Sequence, residues 1–274
     1  MGNSTTSFRR ISAWLNALAA ASVVALAGGS QAAGVLGQGV WETTLKARDV
    51  NGNPVAMNDA GAAFYYDTAL NITWLRDWSA ASGSTYDSAN GTIDGRMTWV
   101  GALGWAGSLT YFGGGWRLPT IVDTGAAGCF FAYSGADCGF NVQTKSGNLN
   151  SHADGDTVYS ELAHMWYVTL GNKGQFDIIG NPQTGWGLSN LGPFQGIQGG
   201  VHWSGIGYVP YSTHAWDFNI LDGFQYVDDK ANPLYAVAVR PGDVLIAVPE
   251  PQALALMLVG LCVLAGSVWR RRKT

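Results

Sequence analysis

The chain has 274 residues, with 15 Lys and Arg against 19 Asp and Glu, 38 glycines and 12 tryptophans. Leaving out about thirty residues at either end, the body holds 9 cations against 18 anions and is long enough to bury a substantial core. A field of that sign repels polyanions, so DNA, RNA and densely sulfated polymers are poor partners.

The first 32 residues follow the order of a secretory signal peptide: basic Arg9 and Arg10, an uncharged apolar stretch from Ile11 to Ala27, then small Ser30 and Ala32 before the expected cut. The mature chain is expected to begin near Ala33. Residues 33–61 are Gly-rich and polar, with a turn at Asp49–Pro54, and suggest a lead-in with one strand. Ala63–Tyr66 and Ile72–Leu75 are short β-prone runs joined by a turn, and residues 79–95 form a polar loop.

Trp99, Val100 and Leu103 recur at helical spacing, weakened by Gly101 and Gly104. Gly113–Gly115 end that helix, and Leu118 before Pro119 starts an extended segment. Cys129 and Cys138 close a short loop that, in an exported protein, predicts a disulfide worth about 2–3 kcal/mol. Ser160 caps a second helix with Leu162, Met165, Trp166 and Thr169 on one face, ended by Gly171. Trp216, Phe218 and Ile220 alternate up to an Asp222-Gly223 turn, Phe224 and Tyr226 resume, and Tyr235, Val237 and Val239 close the body as a last strand. Two helices followed by a terminal antiparallel sheet predict an α+β fold.

Near the C-terminus, Pro249 and Pro251 hold Val248–Pro251 extended and deny it backbone donors. Ala253–Trp269 is uncharged and, as a helix, spans roughly 25 Å, slightly short of a bilayer core. Arg270, Arg271, Arg272 and Lys273 then supply a cytoplasmic flank. A transmembrane helix at 253–269 with the body outside is expected. Pro249-Glu250-Pro251, one apolar helix and an Arg-rich end together resemble the PEP-CTERM sorting signal, over residues 248–274. That resemblance implies processing near Pro249–Pro251 by exosortase, a membrane-embedded enzyme of Gram-negative bacteria that make exopolysaccharide. The precursor would sit in the cell membrane, and the product at the outer surface or in the extracellular matrix. A permanent single-span anchor is the alternative.

A second resemblance covers residues 62–243. Gly115–Thr120, Glu161–Asn172, Trp203–Gly205, Ala215–Gln225 and Tyr235–Asp243 are similar to the Lcl C-terminal-like domain, which is related to the C-type-lectin fold. It implies a surface-exposed binding module, with polysaccharide as a partner and a role in adhesion. Trp116, Arg117, Trp203, Trp216 and Arg240 are the residues it marks. They read either as fold markers, with aromatics in the core and arginines paired to buried carboxylates, or as platforms for sugar rings; for Trp216 the core reading is preferred.

The acid-amide motifs of calcium-dependent sugar-binding lectins are absent, and no cofactor is expected. Calcium has one candidate: Asn150, His152, Asp154, Gly155 and Glu161 occupy positions 1, 3, 5, 6 and 12 of an EF-hand-like loop that also contains Asp156. A solvated loop entering the Ser160 helix is the competing reading. His152, His164, His202 and His214 lack zinc spacing. No serine elbow, phosphate-binding glycine loop or nucleophile–base pair is visible. Formylglycine-generating enzymes share the broader fold and a similar Trp-Arg-Leu-Pro-Thr stretch, but their reactive cysteine arrangement is missing. A binding module is therefore expected rather than an enzyme, with a structural matrix component as the alternative.

Overall fold

The structure, a computed structural model, describes residues 34–87, 91–123, 133, 138–142 and 160–245. The expected signal peptide (1–32) and transmembrane helix (253–269) lie outside the described residues. Within them, no helix is long and apolar enough to cross a membrane.

Helices are few and strands many. One helical turn, α1 (Trp41–Thr44), runs directly into β1 (Leu45–Asp49), which pairs antiparallel with β2 (Ala62–Asp67). The lead-in thus contributes both a strand and core residues, since Trp41, Leu45 and Ala47 are all buried. β3 (Ile72–Leu75) follows β2 across the expected turn and is buried along its whole length. After the two-residue β4 (Arg96–Met97) comes α2 (Trp99–Ser108), whose N-cap Thr98 accepts the Gly101 amide proton. Of the expected inward face of α2, Trp99 and Leu103 pack half-buried against the core, and Val100 alone needs correction. Ala102, Trp105 and Ala106 are buried, whereas Val100 is 68% exposed. Gly104 lets the Tyr86 ring approach the helix, since a Cβ there would lie 2.8 Å from it.

The second helix starts as expected at Ser160, whose hydroxyl accepts from the Ala163 amide. It makes one α-turn, α3 (Glu161–Ala163), then widens into a π-helical stretch over His164–Thr169, with the Leu170 amide reaching back to the Met165 carbonyl. Leu162, Met165, Trp166 and Thr169 are buried, as their spacing predicts. Gly171 ends the helix at φ +67°, with Gly39 backbone 2.4 Å from where a Cβ would stand; no other residue fits.

β5 (Val201–Gly207), β6 (His214–Asn219) and β7 (Phe224–Asp229) form the expected antiparallel array, and Gly223 takes φ +82° in the turn between β6 and β7. Burial along β6 does not alternate: Ala215 to Phe218 are all buried, because both faces of this central strand are covered. The closing segment also needs correction, since it is two strands. β8 (Leu234–Tyr235) lies between β4 and β5, and β9 (Val239–Pro241) pairs with β3. The buried Ala236–Ala238 link crosses from one sheet to the other. The two sheets run β1-β2-β3-β9 and β4-β8-β5-β6-β7, antiparallel apart from the β5–β8 contact.

Two large apolar clusters fill the interior. One gathers Trp41, Trp74, Trp78, Trp166 and Phe218; the other gathers Phe64, Trp105, Trp116, Leu118 and Trp203. Trp74 and Trp78 stack at 5.7 Å. Two titratable groups are held in this interior. Burial raises the Asp67 pKa to about 6, outweighing the Ala69 and Leu70 amides that donate to its Oδ1 and the nearby Thr169 hydroxyl. His202 lies against Trp78 and Tyr235, and burial lowers its pKa to about 4.

These two shifts have opposite linkage. His202 takes up its proton more readily when unfolded, so its contribution to stability falls as pH drops from 6.5 towards 4. Asp67 holds its proton better when folded, so its contribution falls as pH rises from 3.8 towards 6. The two largely offset each other between pH 4 and 6. Asp67→Asn is expected to steepen the loss of stability on acidification and His202→Phe to flatten it, measured as urea midpoints at pH 4.5 and 7.

Candidate functional site

The five marked residues fall mostly into the core. Trp116, Trp203 and Trp216 are 4%, 0% and 1% exposed and cannot serve as platforms for a sugar ring. Trp116 Nε1 donates to the Tyr111 carbonyl and Trp203 Nε1 to the Met97 carbonyl. Arg117 forms two parallel 2.8 Å hydrogen bonds to Glu161, whose carboxylate is buried and also accepts the Thr120 amide. Burial pulls the Arg117 pKa down, but the hydrogen bonds and charge of Glu161 outweigh it and hold the pKa above its usual value. Arg240 Nε donates to the Gly114 carbonyl, closing the glycine turn before Trp116.

That pairing bears on the calcium candidate. Glu161 could reach a cation only by giving up Arg117, and Asn150, Asp154 and Asp156 lie outside the described residues. Among the described residues, no group of three or more His, Cys, Asp or Glu side chains is placed to hold a metal ion. Cys138 is buried, and Cys129 lies outside the described residues.

An open cleft of about 380 Å³ lies elsewhere, between the edge of the β1–β2–β3 layer and the loop after α2. Such a volume is at the lower end of the usual range for small-ligand sites. Ala62, Ala63, Phe64 and Leu75 form its floor, Val50, Leu109 and Tyr111 its apolar rim, and Arg76, Asp77 and Gln195 its polar side. β2 and β3 position the floor. The one-turn helix at Tyr111–Gly113 positions Tyr111, whose ring packs edge-on against Phe64 at 5.3 Å yet remains 48% exposed.

The polar side is braced from below. Arg76 Nη1 donates to the Asp59, Ala60 and Ala62 carbonyls, and no carboxylate pairs with this guanidinium among the described residues. Asp77 Oδ1 accepts from the Ser79 amide and hydroxyl. An aromatic face, a carboxylate, a guanidinium and an amide thus meet at one opening. They can stack on apolar C–H faces while exchanging hydrogen bonds with hydroxyl groups. Sequence reasoning missed this site because its parts come from five separate stretches. The sole local cue was Arg76-Asp77, two charges directly after a buried strand.

At the C-terminal end, residues 247–273 match the PEP-CTERM protein-sorting motif. This segment carries the sorting signal. The match implies an exported protein processed by exosortase at the membrane. Pro249, Glu250 and Pro251 and the flank Arg270, Arg271, Arg272 and Lys273 lie within the matched segment and outside the described residues. No curated protein and no solved structure matches the chain. The likeness to the Lcl C-terminal-like domain therefore rests on its five sequence stretches alone.

Proposed function

We propose that the exported body is a lectin-like glycan-binding module, serving adhesion or exopolysaccharide association at the outer surface or in the extracellular matrix of a Gram-negative bacterium. The observation that carries this reading is the Tyr111 cleft, an accessible aromatic face beside braced polar groups. In this proposal the binding surface is the cleft, and the tryptophans first marked for the role act as core. The acidic body favours neutral or weakly charged glycans over polyanions. The role is one of binding and not of catalysis. A disulfide between Cys129 and Cys138 belongs to the same reading, since the two cysteines close a short loop in a chain that is exported.

A glycan array probed with the purified chain tests it, with bound neutral glycans expected. Tyr111→Ala should weaken that binding by about tenfold or more, the scale of one lost stacking contact. A blank array would instead favour a structural matrix component. Cell fractionation with intact mass measurement tests the processing half: the mature chain should begin near Ala33 and end near Pro249–Pro251, outside the membrane. An unshortened C-terminus in the membrane fraction would favour a permanent anchor.

A further inference from the structure

The Arg76 guanidinium, on the polar side of the cleft, is engaged through one nitrogen only. Nη1 donates to the Asp59, Ala60 and Ala62 carbonyls at 3.1, 3.0 and 2.7 Å, which fixes the plane of the group. Nε is buried and meets no acceptor among the described residues. Nη2, the remaining nitrogen, is neither enclosed nor bonded to a protein acceptor among them. No described carboxylate pairs with the group. A guanidinium held in place with two N–H donors to offer is a receptor for an oxyanion.

The surroundings narrow the choice of oxyanion. Asp77 stands next to Arg76 in the lining, held by the Ser79 amide and hydroxyl, and a Cβ at Gly196 would strike both side chains. One cation beside one anion leaves the opening without surplus positive charge, which opposes a doubly charged phosphate. The acidic body likewise opposes a polymer with a charge on every unit. The apolar floor and the 48% exposed Tyr111 suit the C–H face of a sugar ring. Gln195 is fixed by backbone hydrogen bonds to Arg76 and Trp78, so its amide stands at the same opening to meet hydroxyls.

Resting on the glycan reading above, we propose that the cleft selects a sugar bearing a single carboxylate, a uronic acid. The carboxylate sits on Arg76 Nη2, the ring face on Tyr111, and hydroxyls on Asp77 and Gln195. The ligand class is a weakly charged glycan with its uronates spaced apart, and not a continuous polyuronate.

An array of uronate-bearing oligosaccharides on several backbones, each printed beside its carboxyl-reduced and its monosulfated counterpart, tests this with the purified chain. At low salt the uronate member of a bound pair should bind about tenfold more tightly than the carboxyl-reduced member, and the ratio should shrink as salt rises. Equal binding of the two, or binding of neutral glycans alone, would overturn the proposal and leave the glycan reading standing. A blank array would overturn both. A sulfated counterpart bound as tightly as the uronate would overturn the choice of a carboxylate. Arg76→Gln should bring the ratio to about one, with the β1 amides of Leu45–Asp49 still protected from hydrogen exchange as the check that the body is folded. A ratio that persists in this folded variant would place the carboxylate on another cation. Because Arg76 also braces three carbonyls, Asp77→Asn supplies a second measure that leaves the brace intact. Loss of the neighbouring negative charge should widen the ratio about threefold, and an unchanged ratio would overturn the placement in the cleft.

Discussion

Arg117→Ala is expected to lower the free energy of unfolding by about 3–5 kcal/mol, read from urea midpoints at neutral pH. Glu161 is 2% exposed at its side chain and depends on the guanidinium for two hydrogen bonds and a counter-charge. Deleting the arginine leaves a buried carboxylate with the Thr120 amide and no cation. Arg117 keeps a third of its side chain exposed, whereas Glu161 is almost fully enclosed, so the loss falls mainly on Glu161. Arg117→Lys should recover part of the stability, since an ammonium restores the charge but not the two-pronged geometry. Replacing both partners with apolar residues of similar volume should cost much less than Arg117→Ala. A loss below about 1 kcal/mol for Arg117→Ala would show that the pair behaves as a surface bridge.

Trp203→Ala is expected to cost about 3–5 kcal/mol, the range for an aromatic residue truncated in a core. The ring is fully buried within the cluster around Trp116 and Leu118, and its Nε1 donates to the Met97 carbonyl. The same variant separates two views of these tryptophans. If Trp203 is core alone, the protein that remains folded keeps its parent glycan affinity. If affinity falls at undiminished stability, the ring is a ligand platform and the description of the core fails.

Where a local signal has a local cause, the sequence was legible. Ser160 caps its helix, Gly171 ends it, and Gly223 turns the β6–β7 hairpin, because each effect acts within a few residues. The crossing from β8 to β9 was not legible. Tyr235, Val237 and Val239 alternate in a way that suits a single strand, and which sheet each half joins depends on β3 and β4, whose residues stand far earlier in the chain. Glu161 shows the same limit. Its place at the twelfth position of a loop suggested a cation, while its partner stands 44 residues earlier in Arg117. The cleft had no motif to reveal it, because Val50, Arg76, Tyr111 and Gln195 converge only when the sheet edge and the loop after α2 come together.

The split closing segment also decides how the body resists being pulled. A tug on the tail arrives at Gly242 and Asp243, where Thr73, Asn71 and Arg48 hold it by hydrogen bonds and charge. From there the load passes along β9 into one sheet and through buried Ala236–Ala238 to β8 in the other. Tension from an anchored end therefore meets β9, an edge strand held by β3, before it reaches β8 inside the second layer.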